Sequence, residues 1–239
     1  AHRCARLLVC FLSDKGCYRP AVFPHGFDGS ADAGFDVAYG SVEPTAVGVV
    51  ELSGNSRAYL VGDRHRTHSP YQQLNLLGKR LRFTVDVSHV PCSVNAALYF
   101  VRMDGASPDG YCDIQTSNSC TEIDVFEANV GAIQATVHTQ RGTGGDGTCN
   151  QWGCAVNWGN FPTVYGVGGG GVRYGAMYGR GVRGGIDTRH PYEVEATVGD
   201  AGELRVELSQ EGRTVHFYNE SAASNPVGAA CGSGGCGVR

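Results

Sequence analysis

The chain has 239 residues, enough for one large β domain with a sizeable core. Its 19 basic and 23 acidic side chains give a formal net charge of -4, which offers no electrostatic reason to expect binding to nucleic acid or to an anionic membrane surface. No apolar run approaches the length of about 18 residues that a transmembrane helix needs. The 36 glycines and the shortage of strong helix formers favour a loop-rich β protein.

The strand pattern begins after an N-terminal segment, 1–45, that is predicted to be irregular. Residues 46–239 are predicted to form the β domain, with short apolar or alternating runs separated by turns. Two turn sequences, at 200–202 and 210–212, join the last three runs into a meander, which is typical of a sandwich or jelly roll. The predicted strands are 47–52, 57–62, 81–88, 94–103, 121–127, 132–139, 192–198, 203–208 and 212–218.

The ten cysteines are numerous for this length and even in number. Their compact spacings indicate local disulfide loops in a secreted protein. A zinc site is the alternative, but zinc pairs usually have shorter gaps than the ones found here, so disulfides are favoured. The closely spaced groups are Cys4/Cys10/Cys17, Cys112/Cys120, Cys149/Cys154 and Cys231/Cys236.

An acidic run within one predicted strand carries the clearest chemical signal. Glu122 and Asp124 share a face of a regular strand, whereas Glu127 is out of phase by one residue. A β-bulge at Val125-Phe126 would restore the phase and put all three carboxylates on one face. The two glutamates could then bring their carboxyl groups to about 5 Å, the separation used by retaining glycosidases.

Like charges this close together raise at least one pKa, which is how a proton donor and a nucleophile can coexist at one pH. The alternative is a solvated acidic edge strand. The large apolar residues Ile123, Val125 and Phe126 favour a strand with one buried face and one face lining a cleft.

The run Glu122-Ile123-Asp124-Val125-Phe126-Glu127-Ala128-Asn129 resembles the catalytic strand of glycoside hydrolase family 7, the cellulases that include cellobiohydrolases and endoglucanases. The resemblance extends from about residue 55 to residue 218, and its blocks follow one another in the family's order. It implies an all-β, concanavalin-like jelly roll, a sandwich of two antiparallel sheets with long loops forming a substrate cleft. Further matching blocks are 57–61, 71–77, 83–88, 91–101, 110–115, 149–154 and 186–192.

The resemblance implies a role for each matched residue. Glu122 would be the nucleophile, Glu127 the general acid and base, and Asp124 a helper that hydrogen-bonds to Glu122. His138 stands where the family places an active-site histidine. The residues that would bind sugar hydroxyls are Asn95, Tyr99, Tyr111, Asp113 and Gln115.

The implied activity is retaining hydrolysis of β-1,4-glucan without a metal or other cofactor. The chain has only 2 tryptophans, which argues against a long processive tunnel with Trp platforms and favours endo attack in an open cleft. The expected partner is a β-glucan or cello-oligosaccharide substrate, bound by a secreted monomer that binds neither nucleic acid nor a membrane. The chain is shorter than usual for the family, which predicts either a reduced member or a piece of a longer product. Two alternatives remain open: a non-catalytic β-glucan-binding or wall-associated protein, and a related β-1,3/1,4-glucanase.

Overall fold

The fold is given by a computed structural model that describes residues 5–7, 11–13, 16–18, 34–46, 49–61, 74–91, 94–102, 112–117, 120–138, 154–159, 177–200, 203–219 and 237–238. The regular elements of these residues are all strands. No element in the described ranges is a helix with the length and apolar composition needed to cross a bilayer.

The strands follow one another along the chain and are mostly short. They are β1 (Ala5–Leu7), β2 (Phe11–Ser13), β3 (Gly16–Tyr18), β4 (Gly34–Ala46), β5 (Val49–Val61), β6 (Leu74–Asn75), β7 (Lys79–Val85), β8 (Ala96–Val101), β9 (Glu122–Ala128), β10 (Ala132–His138), β11 (Cys154–Gly159), β12 (Tyr178–Gly179), β13 (Ile186–Asp187), β14 (Tyr192–Val198), β15 (Leu204–Gln210), β16 (Arg213–Asn219) and β17 (Gly237–Val238).

Two four-stranded antiparallel sheets form the centre of the fold. The front sheet has the strand order β11-β10-β9-β8, and the rear sheet has the order β16-β15-β14-β7. A separate sheet joins β1, β5 and β4, and three two-stranded pairs complete the described strands. The predicted all-β sandwich of antiparallel sheets is therefore confirmed.

A shared hydrophobic core lies between the front and rear sheets. Alternate residues of β7, β14 and β15 are buried, as expected for strands with one wet face. Phe126 of the front sheet meets two aromatic rings of the rear sheet: its centroid lies 6.0 Å from Phe83, edge to face, and 6.4 Å from Tyr192. These contacts fix the front sheet against the rear sheet directly behind the acidic strand.

The outer face of the rear sheet is charged. Arg82 donates to Glu195 from Nε at 2.7 Å, and Arg80 contacts the same carboxylate at 3.2 Å. Cross-strand pairs of opposite charge suit a solvated sheet face. The rear sheet therefore has one charged, solvated face and one buried face.

The turn after β9 is held in place by the segment that precedes β14. The Tyr178 hydroxyl donates to the Asn129 carbonyl at 3.0 Å, and the Thr188 hydroxyl donates to the Val130 carbonyl at 2.7 Å. Thr188 is fully buried. Because both bonds end on the backbone between β9 and β10, they fix the hairpin that carries the acidic residues.

Most predicted strands agree with the structure within two or three residues, and β14 has the predicted bounds. The predicted turn at 210–212 is also present, with positive φ at Glu211 and Gly212. Two features of the structure differ from the predictions. The predicted strands 47–52 and 57–62 are one continuous strand, β5, and extended backbone (β1 to β4) lies within the segment predicted to be irregular. The division into 1–45 and 46–239 stays a prediction, and β4 pairs with β5 across it.

Candidate active site

A β-bulge interrupts β9 in the middle of the acidic run. Asp124 pairs with Thr136 and Glu127 pairs with Gln134, so three steps along β9 face two steps along β10. The β8 ladder shifts at the same point. Val125 and Phe126 are both buried in the core. The bulge predicted at these two residues is confirmed, and it returns Glu127 to the face that Glu122 and Asp124 share.

Asp124 is the most deeply buried of the three acids, at 5% exposure, and it pairs with His138. The distance from Asp124 Oδ2 to His138 Nε2 is 3.3 Å. Burial raises the pKa of Asp124, and the hydrogen bond and charge of His138 oppose that rise. The observed partner of Asp124 is thus His138. The expected hydrogen bond from Asp124 to Glu122 stays a prediction.

Glu127 receives hydrogen bonds from both neighbouring strands. Asn95 Nδ2, just before β8, donates to Glu127 Oε1 at 2.7 Å, and Gln134 Nε2 of β10 donates to Oε2 at 3.3 Å. Burial and then the charge of Asp124 raise the pKa of Glu127 to about 7, while the two amide donors and His138 act in the opposite direction. The carboxyl group can therefore hold or release a proton near neutral pH.

Glu122 is held by the backbone of a disulfide-closed loop. The Ile114 N–H donates to Glu122 Oε2 at 3.3 Å. Ile114 lies inside the loop closed by the Cys112–Cys120 disulfide, with a sequence separation of 8 residues, which confirms one of the predicted local pairings. Burial, followed by the charge of Asp124, raises the pKa of Glu122 to about 7. The other predicted cysteine groups lie outside the described side chains.

The predicted sugar-binding residues fall in different places. Tyr99 pairs with Asp124 across β8 and β9, and Asn95 reaches Glu127 as described above. The Asp113 carboxylate accepts from the backbone N–H groups of Gln115 and Thr116, each at 2.7 Å, so it orders its own loop. Gln115 is exposed on that loop. Tyr111 lies outside the described residues.

Three of the predicted catalytic residues could also form a cation site. Glu122, Asp124 and His138 each bring one potential ligand atom within 4.8 Å of the others. The Asp124 and His138 atoms already form an ion pair, and Glu122 accepts from a backbone N–H. This donor set is suited to moving protons between carboxyl groups and an imidazole, which is the chemistry that the raised pKa values favour.

Gln134 and Thr136 belong to the site but were not predicted from the sequence. Gln134 Nε2 donates to Thr136 Oγ1 at 2.8 Å as well as to Glu127. A signal was available, because Gln134, Thr136 and His138 alternate with apolar residues in one strand and therefore share a face.

Comparisons with known proteins relate the chain to a family of glycosyl hydrolases. The family model described as glycosyl hydrolase family 7 matches residues 48–118, a range that ends just before the acidic strand. The chain is 30% identical over 191 residues to the endo-beta-1,4-glucanase celB of Emericella nidulans, covering 59% of this chain and 42% of the relative. The chain is therefore similar to glycosyl hydrolase family 7 over part of its length. The resemblance inferred from its motifs is thereby confirmed.

Further relatives match in the same partial way. Endoglucanase EG-1 of Trichoderma longibrachiatum is 30% identical over 183 residues, which is 64% of this chain and 37% of that enzyme. Two solved structures of an endocellulase of Humicola insolens align with TM-scores of 0.51 and 0.52 at 23% and 22% identity. Each alignment covers 77% of this chain and 55% of the endocellulase. The fold of the chain is that of these endocellulase structures, and the chain spans about two fifths of the curated family 7 relatives.

Proposed function

We propose that this chain hydrolyses β-1,4-glucan with retention of anomeric configuration and by endo attack. The observation that carries the proposal is the bulged strand β9, on which Glu122 and Glu127 flank Asp124 and both have a pKa raised to about 7. A double-displacement mechanism requires one ionised and one protonated carboxyl group at the same pH, and a close pair of carboxyl groups that loses its two protons in separate steps can supply that state. The names of the relatives, both endoglucanases, favour endo attack on β-1,4-glucan.

In the first step, ionised Glu122 attacks the anomeric carbon while Glu127 transfers its proton to the glycosidic oxygen. The bond from that carbon to the leaving oxygen breaks, and a glycosyl ester of Glu122 forms. In the second step, Glu127 takes a proton from water, the water oxygen attacks the same carbon, and the ester bond breaks. Glu122 is released as a carboxylate and Glu127 is again protonated.

Asp124 and His138 adjust the charge between the two glutamates. A negative Asp124 raises the pKa of both neighbours, and His138 moderates that effect. Losing the first proton from such a cluster makes the next one harder to remove, because like charges repel. The state with one ionised and one protonated carboxyl group is therefore maintained over a range of pH.

The partner in this proposal is a β-glucan or cello-oligosaccharide bound by a secreted monomer without a cofactor. Tyr99, Tyr111, Asp113 and Gln115 would line the cleft beside Asn95. Asn95 also donates to Glu127, so it would act on the acid/base group as well as on the sugar. Asp113 would contribute mainly by ordering its loop, since its carboxylate accepts from the backbone there.

The decisive test is the Glu122→Gln variant with an aryl cellobioside and with cellulose. We expect hydrolysis to fall by about a thousandfold or more while cello-oligosaccharide binding survives, because amide replacement removes the nucleophile and keeps the shape. The matched control is Glu211→Gln, at an exposed turn position far from the site in the chain. Parent-like turnover by Glu122→Gln would show that the nucleophile is wrongly assigned.

The anomeric configuration of the product, followed by NMR, tests the same proposal independently. Net retention is expected, and inversion would exclude a nucleophilic glutamate. Glucan binding without release of reducing sugar would point instead to a β-glucan-binding protein. Preferential cleavage of mixed-linkage β-1,3/1,4-glucan would change the substrate assignment.

A further inference from the structure

The Glu127 carboxylate is held from β10 by two residues that the sequence motif does not include. We propose that Gln134 and Thr136 form a hydrogen-bonded relay that positions the Glu127 carboxylate, with Gln134 as the direct contact and Thr136 as its anchor. The inference rests on the proposed function for its catalytic meaning, while the relay itself can be tested without turnover.

The register of the front sheet brings the relay together. Gln134 pairs with Glu127 and Thr136 pairs with Asp124, so both relay residues lie on the strand next to the acids. The Gln134 amide nitrogen is 3.3 Å from Glu127 Oε2 and 2.8 Å from Thr136 Oγ1. With Asn95 donating to Oε1 at 2.7 Å, each oxygen of Glu127 receives one amide N–H, and the two donors come from opposite sides of β9.

Thr136 anchors the Gln134 amide beside Glu127. Its hydroxyl oxygen accepts one of the two N–H groups of Gln134, which leaves the other for Glu127. An ionised carboxylate only accepts hydrogen bonds, so Glu127 selects the N–H end of the amide, and Thr136 keeps that end within reach. Thr136 is fully buried at 0% exposure, so packing holds this anchor in one place.

The relay has a direct consequence for the acid/base group. Donors to a carboxylate favour its ionised form, so Gln134 opposes the effect of burial and of Asp124 on Glu127. It also restricts the carboxylate to one position, and displacement of a catalytic group by even 1 Å can cost on the order of a hundredfold in rate. Gln134 therefore acts as a positioning residue for both the acid and the base step.

The first test replaces Gln134 with methionine, which keeps the side-chain length and removes both amide donors. The carboxyl carbon of Glu127 is followed by ¹³C NMR during a pH titration of the full chain, and its signal is assigned by its loss in Glu127→Gln. We expect the midpoint of Glu127 to move to higher pH. In activity assays, the basic limb of kcat/KM should move the same way and kcat should fall by about tenfold. A midpoint that stays in place or moves down would overturn the relay.

The second test changes the anchor and does not depend on the folding of the first variant. Thr136→Val removes the hydroxyl and keeps the shape, and we expect the Glu127 midpoint to rise. Thr136→Ser restores a hydroxyl, and its midpoint should return toward that of the parent. The matched control is Thr84→Val on the rear sheet, which should leave the midpoint unchanged. Equal midpoints in Thr136→Val and the parent would show that Thr136 does not orient Gln134.

The titration separates the relay from the proposed function. If the parent chain releases no sugar but Gln134→Met and Thr136→Val raise the Glu127 midpoint, the relay stands and the hydrolase proposal fails. If the parent hydrolyses cellulose but neither variant moves the midpoint, the relay fails and the hydrolase proposal stands.

Discussion

At the residue scale, the protonation of Glu122 and Glu127 is governed mainly by burial. Desolvation is the largest cause of the raised pKa of both groups, and the charge of Asp124 comes second. The hydrogen bonds that oppose it are few: one backbone N–H for Glu122 and two side-chain amides for Glu127. The site therefore keeps acids partly protonated at a pH where exposed carboxyl groups are ionised.

This balance predicts that the fold loses stability as the pH rises. Both groups have an ordinary pKa of 4.5 when exposed and a folded-state pKa of about 7. Between these values the folded state binds protons that the unfolded state has lost, so the free energy of unfolding falls as the pH increases from about 4.5 to about 7. Chemical denaturation at several pH values between 4 and 8 measures the slope.

Variants in which glutamine replaces one of the two glutamates test this pH dependence of stability. Glu122→Gln and Glu127→Gln should each make the decline shallower and should be more stable than the parent at pH 8, because an amide has no proton to lose. Glu211→Gln, at an exposed turn, should keep the parent's slope. A parent slope of the opposite sign would mean that the carboxylates are better stabilised in the folded state than their burial implies.

At the element scale, one bulge and one short disulfide loop build the site. The bulge in β9 puts Val125 and Phe126 side by side in the core, and this returns Glu127 to the open face. The Cys112–Cys120 loop brings the Ile114 N–H to Glu122. The Cys120 N–H donates to the Asp113 carbonyl at 3.0 Å, which tightens the same loop.

Removing the disulfide should affect both the stability of the fold and the pKa of Glu122, the proposed nucleophile. The double variant Cys112→Ala/Cys120→Ala frees a loop of 8 residues, and we expect a loss of about 2–3 kcal/mol in the free energy of unfolding. Because the Ile114 N–H lowers the pKa of Glu122, a looser loop should raise that pKa and move the acid limb of kcat/KM to higher pH. An acid limb that stays in place would show that the loop keeps its position without the bond.

At the scale of the whole molecule, the rear sheet supports the front sheet through a common core. Phe126 is fully buried and contacts Phe83 and Tyr192, so the residue that forms the bulge also joins the two sheets. The rear sheet carries ion pairs on its outer face, and the side chains of its inner face are buried in the core. The packing of the two sheets and the geometry of the acidic strand therefore depend on the same side chain.

Truncating that side chain should disturb both properties together. We expect Phe126→Ala to lower the free energy of unfolding by about 3–5 kcal/mol, because it removes a ring that is packed on all sides. Phe126→Leu should cost less, since most of the volume is kept. Thr84→Ala, on the solvated face of the rear sheet, is the control and should change stability by about 0.5 kcal/mol or less. A loss for Phe126→Ala as small as that of the control would contradict the shared core.

The sequence by itself determined the elements and the chemical type of the site. The alternation of apolar and polar residues located most strands, and it gave β14 its observed bounds. Glu127 is one residue out of step with the alternation of Glu122 and Asp124, and this offset predicted the bulge at Val125-Phe126. The short spacing of Cys112 and Cys120 predicted their disulfide. These features are local, since each depends on residues within about ten positions of one another.

Only the tertiary structure decided which groups surround the acids. Asn95 is 32 positions from Glu127 in the chain, and the backbone of Ile114 reaches Glu122 from a loop; neither contact leaves a periodic signal. Gln134 and Thr136 were part of a recognised strand, but their contact with Glu127 depends on the register that the bulge sets. The pKa of each acid depends on burial, and burial is created only when the sheets pack together.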